Sequence, residues 1–278
     1  MFLSKVLRCG RFTLDLARPR VMGILNVTPD SFYDGARYAD TASAVAHAKQ
    51  MAADGADLID VGGESTRPGA MPVPEAEELR RVVPVIEALA ADGLVVSADT
   101  RRPAVMRAAI AAGAAMVNDV GALTATGALD AVAGTNVAVC LVHMQGEPGT
   151  MQQAPRYGDV VAEVREFLAA RVRACEEAGI ARERIVVDPG FGFGKTLAHN
   201  LELLRALPQL AAAGYPVLAG LSRKSSLGTI TGRPVLERMP ASVAAALAAV
   251  SRGASMVRVH DVRETVDALK VWLPIQQG

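Results

Sequence analysis

The chain has 278 residues, with 29 Lys plus Arg against 29 Asp plus Glu, 51% hydrophobic residues and only 4% aromatic ones. A formal net charge of zero supplies no global field to collect nucleic acid or an anionic membrane surface, and so few aromatics argue against stacking platforms for single-stranded nucleic acid. No stretch approaches the roughly 20 apolar residues of a membrane span.

The N-terminal residues MFLSKVLRCGRF lack the continuous apolar run of a signal peptide, and Cys9, Cys140 and Cys175 lack metal-ligand spacing. A cytoplasmic protein with reduced thiols is expected. Next, LRCGRFTLDL (7–16) alternates apolar and polar residues around Gly10, which reads as a β-hairpin over about 7–18 closing the bottom of the fold.

Beyond it, short Val/Ile/Leu-rich runs alternate with longer Ala-rich segments of helical period. Strands are expected at 21–27, 57–63, 94–100, 115–120, 137–144, 184–190, 217–222 and 256–260, with helices near 40–54, 74–91, 102–112, 127–134, 158–178, 199–213, 240–252 and 262–273. Pro74, Pro103 and Pro240 stand where helices should start. Eight βα units undivided by a Pro/Ser-rich linker or a charge block favour one (β/α)8 TIM barrel, a single domain over 1–278, rather than an open doubly wound sheet.

In that architecture the active site lies at the C-terminal ends of the strands. Polar residues terminate the apolar runs in order: Asn26, Glu64, Asp99, Asn118 with Asp119, His143, Asp188, Ser222 to Lys224, then Arg258 and His260. Any one of them, taken singly, reads equally well as a surface residue marking a strand end. Asp99, Asn118 and Asp188, however, lie inside or against apolar runs, where a charge or an amide needs a partner. Two carboxylates, an amide and Lys224 suit a heterocycle carrying an amino group, a ring N–H and a carbonyl. Arg258 can stack on a ring while aiming donors at a phosphate, and His260 projects to the same side of its strand. The bland alternative pairs Arg258 and His260 with Asp261 or Glu264.

The loop DPGFGFGKT (188–196) matches neither a phosphate loop, which needs Gly where Pro189 stands, nor a dinucleotide fingerprint, which needs Gly where Lys195 stands. Its alternating glycines more simply let backbone pass close to a ligand or a neighbouring loop. The segments TPDSFYDGARYAD and ESTRPGAMPVP are longer and more polar than connections require, and read as lids ordered by substrate.

The blocks MGILNVTPDSFYDG (22–35), GGESTRPGA (62–70), SADT (97–100), VNDV (117–120), HMQGEPGTMQ (143–152), DPGFGFGKT (188–196), GLSRKS (220–225) and RVHDV (258–262) resemble the dihydropteroate synthase family, in the expected order from about residue 20 to 265. Ala36 and Ala98 depart from the family's usual Gly and Val without touching a group that does chemistry. The resemblance implies joining of 6-hydroxymethyl-7,8-dihydropterin diphosphate to 4-aminobenzoate, with Mg²⁺ assistance. By motif, Asp99, Asn118, Asp188 and Lys224 would hold the pterin, with Lys224 also near the aminobenzoate side, and Arg258 would cover the pterin face. Asn26 would meet Mg²⁺ and the diphosphate, with Thr66, Arg258 and His260 also on the diphosphate. Phe32, Arg67, Pro68 and Ser225 would shape the aminobenzoate pocket, and Asp34 would sit in the mobile first loop.

No Ser/His/Asp or Cys/His set is indicated, and none is needed when diphosphate leaves and an aromatic amine attacks. A dissociative displacement without a covalent enzyme intermediate is therefore expected, with Lys224, Arg258, His260 and Asp34 as the catalytic set. Two alternatives use the same barrel: a pterin-binding methyltransferase, which has no use for the diphosphate and aminobenzoate loops, and a catalytically silent paralogue. Sulfonamides should compete with aminobenzoate. The segment ASVAAALAAVSRG is apolar on more than one face, so a homodimer through the late helices and packing on the barrel are both open.

Overall fold

The structure, a computed structural model, describes residues 6–27, 37–64 and 72–276. Strands β1 (Val6–Cys9) and β2 (Phe12–Asp15) pair antiparallel, turning at Gly10, whose φ of +57° suits glycine. Eight parallel strands follow: β3 (Arg20–Asn26), β4 (Leu58–Gly62), β5 (Val96–Asp99), β6 (Met116–Asp119), β7 (Ala138–Val142), β8 (Ile185–Asp188), β9 (Leu218–Ala219) and β10 (Met256–Val259). They are ordered β8-β7-β6-β5-β4-β3-β10-β9, and a parallel bridge between Val187 and Val217 joins the two ends. The sheet thus closes into the expected (β/α)8 barrel.

Helices α1 (Arg37–Ala53), α2 (Glu75–Ala91), α3 (Pro103–Ala111), α4 (Ala128–Ala133) and α5 (Val160–Glu177) follow β3 to β7 in turn. Pro74 precedes α2, Pro103 opens α3, and the Asp159 carboxylate caps α5 by accepting from the Val161 and Ala162 N–H groups. The single helix expected at 199–213 is two, α6 (Leu197–Arg205) and α7 (Leu207–Ala211), because Pro208 cannot continue the first helix and instead starts the second. The seventh strand is also shorter than 217–222, and an unexpected helix α8 (Ser225–Thr231) follows it, ahead of α9 (Met239–Val250) and α10 (Val262–Gln276).

Strand period sets the interior. Met22, Leu58, Met116, Ala138, Val186, Leu218 and Met256 pack into one buried cluster with Leu7, Cys9 and Leu14 of the hairpin. The hairpin therefore plugs the N-terminal end of the barrel with apolar side chains, each contributing roughly 1.5–3 kcal/mol by burial. Leu7→Ala should cost about 2–5 kcal/mol in denaturant unfolding while leaving substrate KM values unchanged, since the cluster fills the end of the barrel opposite the strand C-termini. Cys9, Cys140 and Cys175 are all free and buried.

Candidate active site

On several strands the apolar inner residue is followed two positions later by a polar one: Leu58 by Asp60, Met116 by Asn118, Val186 by Asp188, Met256 by Arg258. Asp99 stands beside Asn118 in the ladder, and Gly62 beside Asp99. A cavity of about 390 Å³ opens there, lined among others by Asn26, Asp99, Lys224, Ser225, Arg258 and His260. Phe32, Asp34, Thr66, Arg67 and Pro68 lie outside the described residues.

The deepest member is Asp60, which the strand-end reading missed because it lies inside an apolar run rather than at its end. Its side chain is 0% exposed, and its Oδ2 accepts from Arg258 Nε at 2.6 Å and from Asn118 Nδ2 at 2.9 Å. Arg258 Nη2 also donates to Asp99 Oδ2 at 2.7 Å. The ion pair foreseen as the bland alternative for Arg258 thus exists with different partners, while Asp261 pairs with Arg223. Carboxylates and cations are thus interleaved in the site, with Arg258 between Asp60 and Asp99. Period two carries the signal that could have found Asp60: Leu58, Asp60 and Gly62 share one face of their strand.

Burial raises the Asp99 pKa, with Arg258 opposing and Asp60 adding to the rise. Burial works against the charge on Arg258, but Asp60 and Asp99 outweigh it and hold the guanidinium more basic than usual. The Asp188 carboxyl is raised by burial, against the pull of Lys224 and of the Gly190 N–H, which donates to Oδ1 at 2.7 Å. Lys224 is pushed down to about 8 by burial, with Asp188 opposing. Among the described residues, Asp60 Oδ1, Ser97 Oγ and Asn118 Oδ1 are buried without a hydrogen-bond partner.

Lys224 reaches the cavity through a strained turn. Arg223 has φ of +56°, a left-handed conformation uncommon for a residue with a side chain. Three contacts hold it: the guanidinium donates to the Asp261 carboxylate, the N–H donates to Ser242 Oγ at 2.9 Å, and the carbonyl accepts from Arg238 Nη1 at 3.1 Å. Lys224 then donates to the Phe191 carbonyl and lies 4.2 Å from the Phe193 ring centroid. His260 Nδ1 is 3.0 Å from Ser222 Oγ.

The glycine loop behaves as its spacing suggests. Gly190, Gly192 and Gly194 all have positive φ, and a Cβ at the first or last would collide with the carbonyl of His143 or Gln145. At Gly192 a Cβ would stand 3.0 Å from Lys224 Cδ, so its absence lets the lysine stem pass. Other strand-end residues have structural work. Asp119 accepts from the Gly121 and Leu123 N–H groups, Glu64 accepts from Arg102 Nη2 at 2.6 Å, and His143 meets Lys195.

The profile of the family described as pterin binding enzyme matches residues 22–260. The dihydropteroate synthase of Neisseria meningitidis serogroup B is 52% identical, over 96% of this chain and 96% of its own. The structure of Xanthomonas albilineans dihydropteroate synthase with 4-aminobenzoic acid superposes with a TM-score of 0.94 at 57% identity, covering 99% of both chains. That of Burkholderia cenocepacia dihydropteroate synthase complexed with 7,8-dihydropteroate gives 0.90 at 55% identity, covering 100% of this chain and 98% of its own.

Proposed function

This chain belongs to the pterin binding enzyme family, and we propose that within it the protein is a transferase that condenses 6-hydroxymethyl-7,8-dihydropterin diphosphate with 4-aminobenzoate, giving 7,8-dihydropteroate and diphosphate. The observation that carries the substrate reading is the polar wall of the cavity: Asp99 lines it, and Asp60, Asn118 and Asp188 are buried around Arg258 beside it. Buried acceptors in that number ask for a flat ligand rich in N–H donors.

In this reading Asp99, Asn118 and Asp188 accept from the pterin edge, and Lys224 donates to its carbonyl or ring nitrogen. Arg258, held by hydrogen bonds to Asp60 and Asp99, covers the pterin face and turns remaining donors to the diphosphate with His260 and Thr66. Ser225, at the start of α8, belongs with Phe32, Arg67 and Pro68 to the aminobenzoate end. The bond between the pterin methylene carbon and the diphosphate oxygen breaks first, its electron pair leaving with diphosphate. The ring shares the resulting positive charge, which Asp34 favours, and the amine nitrogen then bonds to the methylene and loses a proton. No enzyme–pterin bond forms.

Asn26 lines the cavity and offers a hard amide oxygen, the kind of single side-chain ligand that Mg²⁺ accepts while keeping waters and sharing substrate phosphate oxygens. A Mg²⁺ ion held there would neutralise charge on the diphosphate. The homodimer belongs to the same proposal, seated on the late helices, where α10 leaves Val271 and Ile275 exposed. Among the described residues no helix is long and apolar enough to cross a membrane, and the buried free cysteines suit a reducing cytoplasm.

The test supplies Mg²⁺ and both substrates and follows release of diphosphate and dihydropteroate. Failure of folded protein to form either product rejects the reading, and a sulfonamide should compete with 4-aminobenzoate. The rate should also follow a bell in pH. Asp99 accepts as a carboxylate, so activity rises with pH through a limb above the ordinary carboxylate range. Lys224 donates as an ammonium, so activity falls as pH passes about 8. A pH-independent kcat/KM between 5 and 9 would contradict both assignments.

A further inference from the structure

Lys195 is a buried amine that the proposed reaction leaves unused; burial and then the Lys224 charge push it down to about 7, with Asp188 opposing, so it is an ammonium below neutral pH. It is 3% exposed, and its ammonium contacts acceptors from two loops: His143 Nδ1 at 2.9 Å, and the carbonyls of Gly190 at 2.9 Å, Phe193 at 3.0 Å and His143 at 3.3 Å. Burial followed by the Lys195 charge pushes His143 down to about 3, so the ring is neutral and its Nδ1 accepts.

The carbonyls around it all have partners. From Gly190 to Gly194, carbonyls turn successively to Lys195, Lys224, Gln152, Lys195 and Tyr157. The left-handed glycines at 190, 192 and 194 permit that alternation. Without the ammonium, the Phe193 carbonyl would stand unpaired in a dry site and the Gly190 carbonyl would keep only the Phe193 N–H at 3.1 Å, so the segment would have to rearrange. Phe191 lies inside this segment, and its carbonyl accepts from Lys224, while the Phe193 ring lies beneath the same ammonium.

We infer that Lys195 is a positioning residue: its ammonium staples the end of β7 to the glycine loop, so that the Phe191 carbonyl and the Phe193 ring aim Lys224 into the pterin cavity. This rests on the reading of Lys224 as a pterin ligand. The role differs from general support of the fold because it acts through one other side chain.

The experiment is a double-mutant cycle on the full-length enzyme with Mg²⁺, reading KM for the pterin diphosphate and for 4-aminobenzoate separately. Lys195→Met, which keeps the apolar stem but lacks the terminal ammonium, should raise the pterin KM about tenfold or more, on the order of one charge-assisted hydrogen bond lost at Lys224. The aminobenzoate KM should move far less. In a Lys224→Met background the same change should add almost nothing, because the group it positions is gone. Multiplication of the two effects, or a wild-type pterin KM in Lys195→Met, overturns the proposal. Should Lys195→Met not fold, His143→Leu removes one acceptor and keeps the charge. It should show a smaller rise in pterin KM that again vanishes beside Lys224→Met, and a multiplying effect there overturns the proposal equally. If Lys224→Met itself leaves the pterin KM unchanged, the fault lies in the assignment of Lys224. If only Lys195→Met is silent, the staple alone is wrong.

Discussion

Arg258→Ala should melt on the order of 10 °C below the parent and bind the pterin diphosphate about 10- to 150-fold more weakly. The first effect follows from what the guanidinium touches. Its Nε and Nη2 pair with Asp60 and Asp99, and removing one partner of a buried ion pair costs about 3–5 kcal/mol, because the carboxylates stay behind without a counter-charge. Burial already raises the Asp99 pKa, and loss of Arg258 raises it further. A carboxyl raised in the folded state contributes stability at low pH and loses it as pH climbs through the folded value. The deficit of Arg258→Ala should therefore be small near pH 5 and large at pH 8. Adding Asp60→Asn should restore part of it by removing one orphaned charge. Melts at the two pH values decide the matter: equal deficits at both would show that the ion pair does not govern stability.

Asp188→Asn should lower kcat/KM for the pterin diphosphate by about 10²- to 10³-fold with unchanged or higher thermal stability, the opposite pairing of effects. The Gly190 N–H donates to Asp188 Oδ1 at 2.7 Å, and the amide oxygen of asparagine would keep that bond. Its NH2 group would then stand where the second carboxylate oxygen was, presenting a donor to the donors of the pterin edge. Mismatches of this kind are costly because polar groups are left buried and unpaired. Stability does not suffer, since burial already disfavours the charged Asp188. Kinetics with the pterin diphosphate varied at saturating 4-aminobenzoate, beside a melt, check both halves. A variant with parental kcat/KM would remove Asp188 from the pterin site.

Much of this was legible in one dimension. Eight apolar runs spaced by helical segments, each ending in a polar residue, sufficed for the barrel and for the face on which Asn26, Asp99, Asn118, Asp188, Lys224, Arg258 and His260 emerge, because βα connectivity places strand C-termini together. Spacing also carried the hairpin and the close backbone approach at the glycine loop. Asp119, Glu64 and His143 carry the same strand-end signal, but they turn to loop N–H groups, Arg102 and Lys195, and none of the three lines the cavity.

What the amino-acid sequence determined by itself is the alternation, hence the fold, and the motifs, hence the family and the chemistry. Which charges meet was decided in three dimensions. Arg258 lies 198 residues from Asp60 and 159 from Asp99, and Lys195 lies 52 from His143. Local pattern reports which face a side chain takes, whereas partners across a closed barrel depend on the register of every strand between them. The formal charge of zero therefore hides a buried network in which Asp60 and Asp99 hold Arg258.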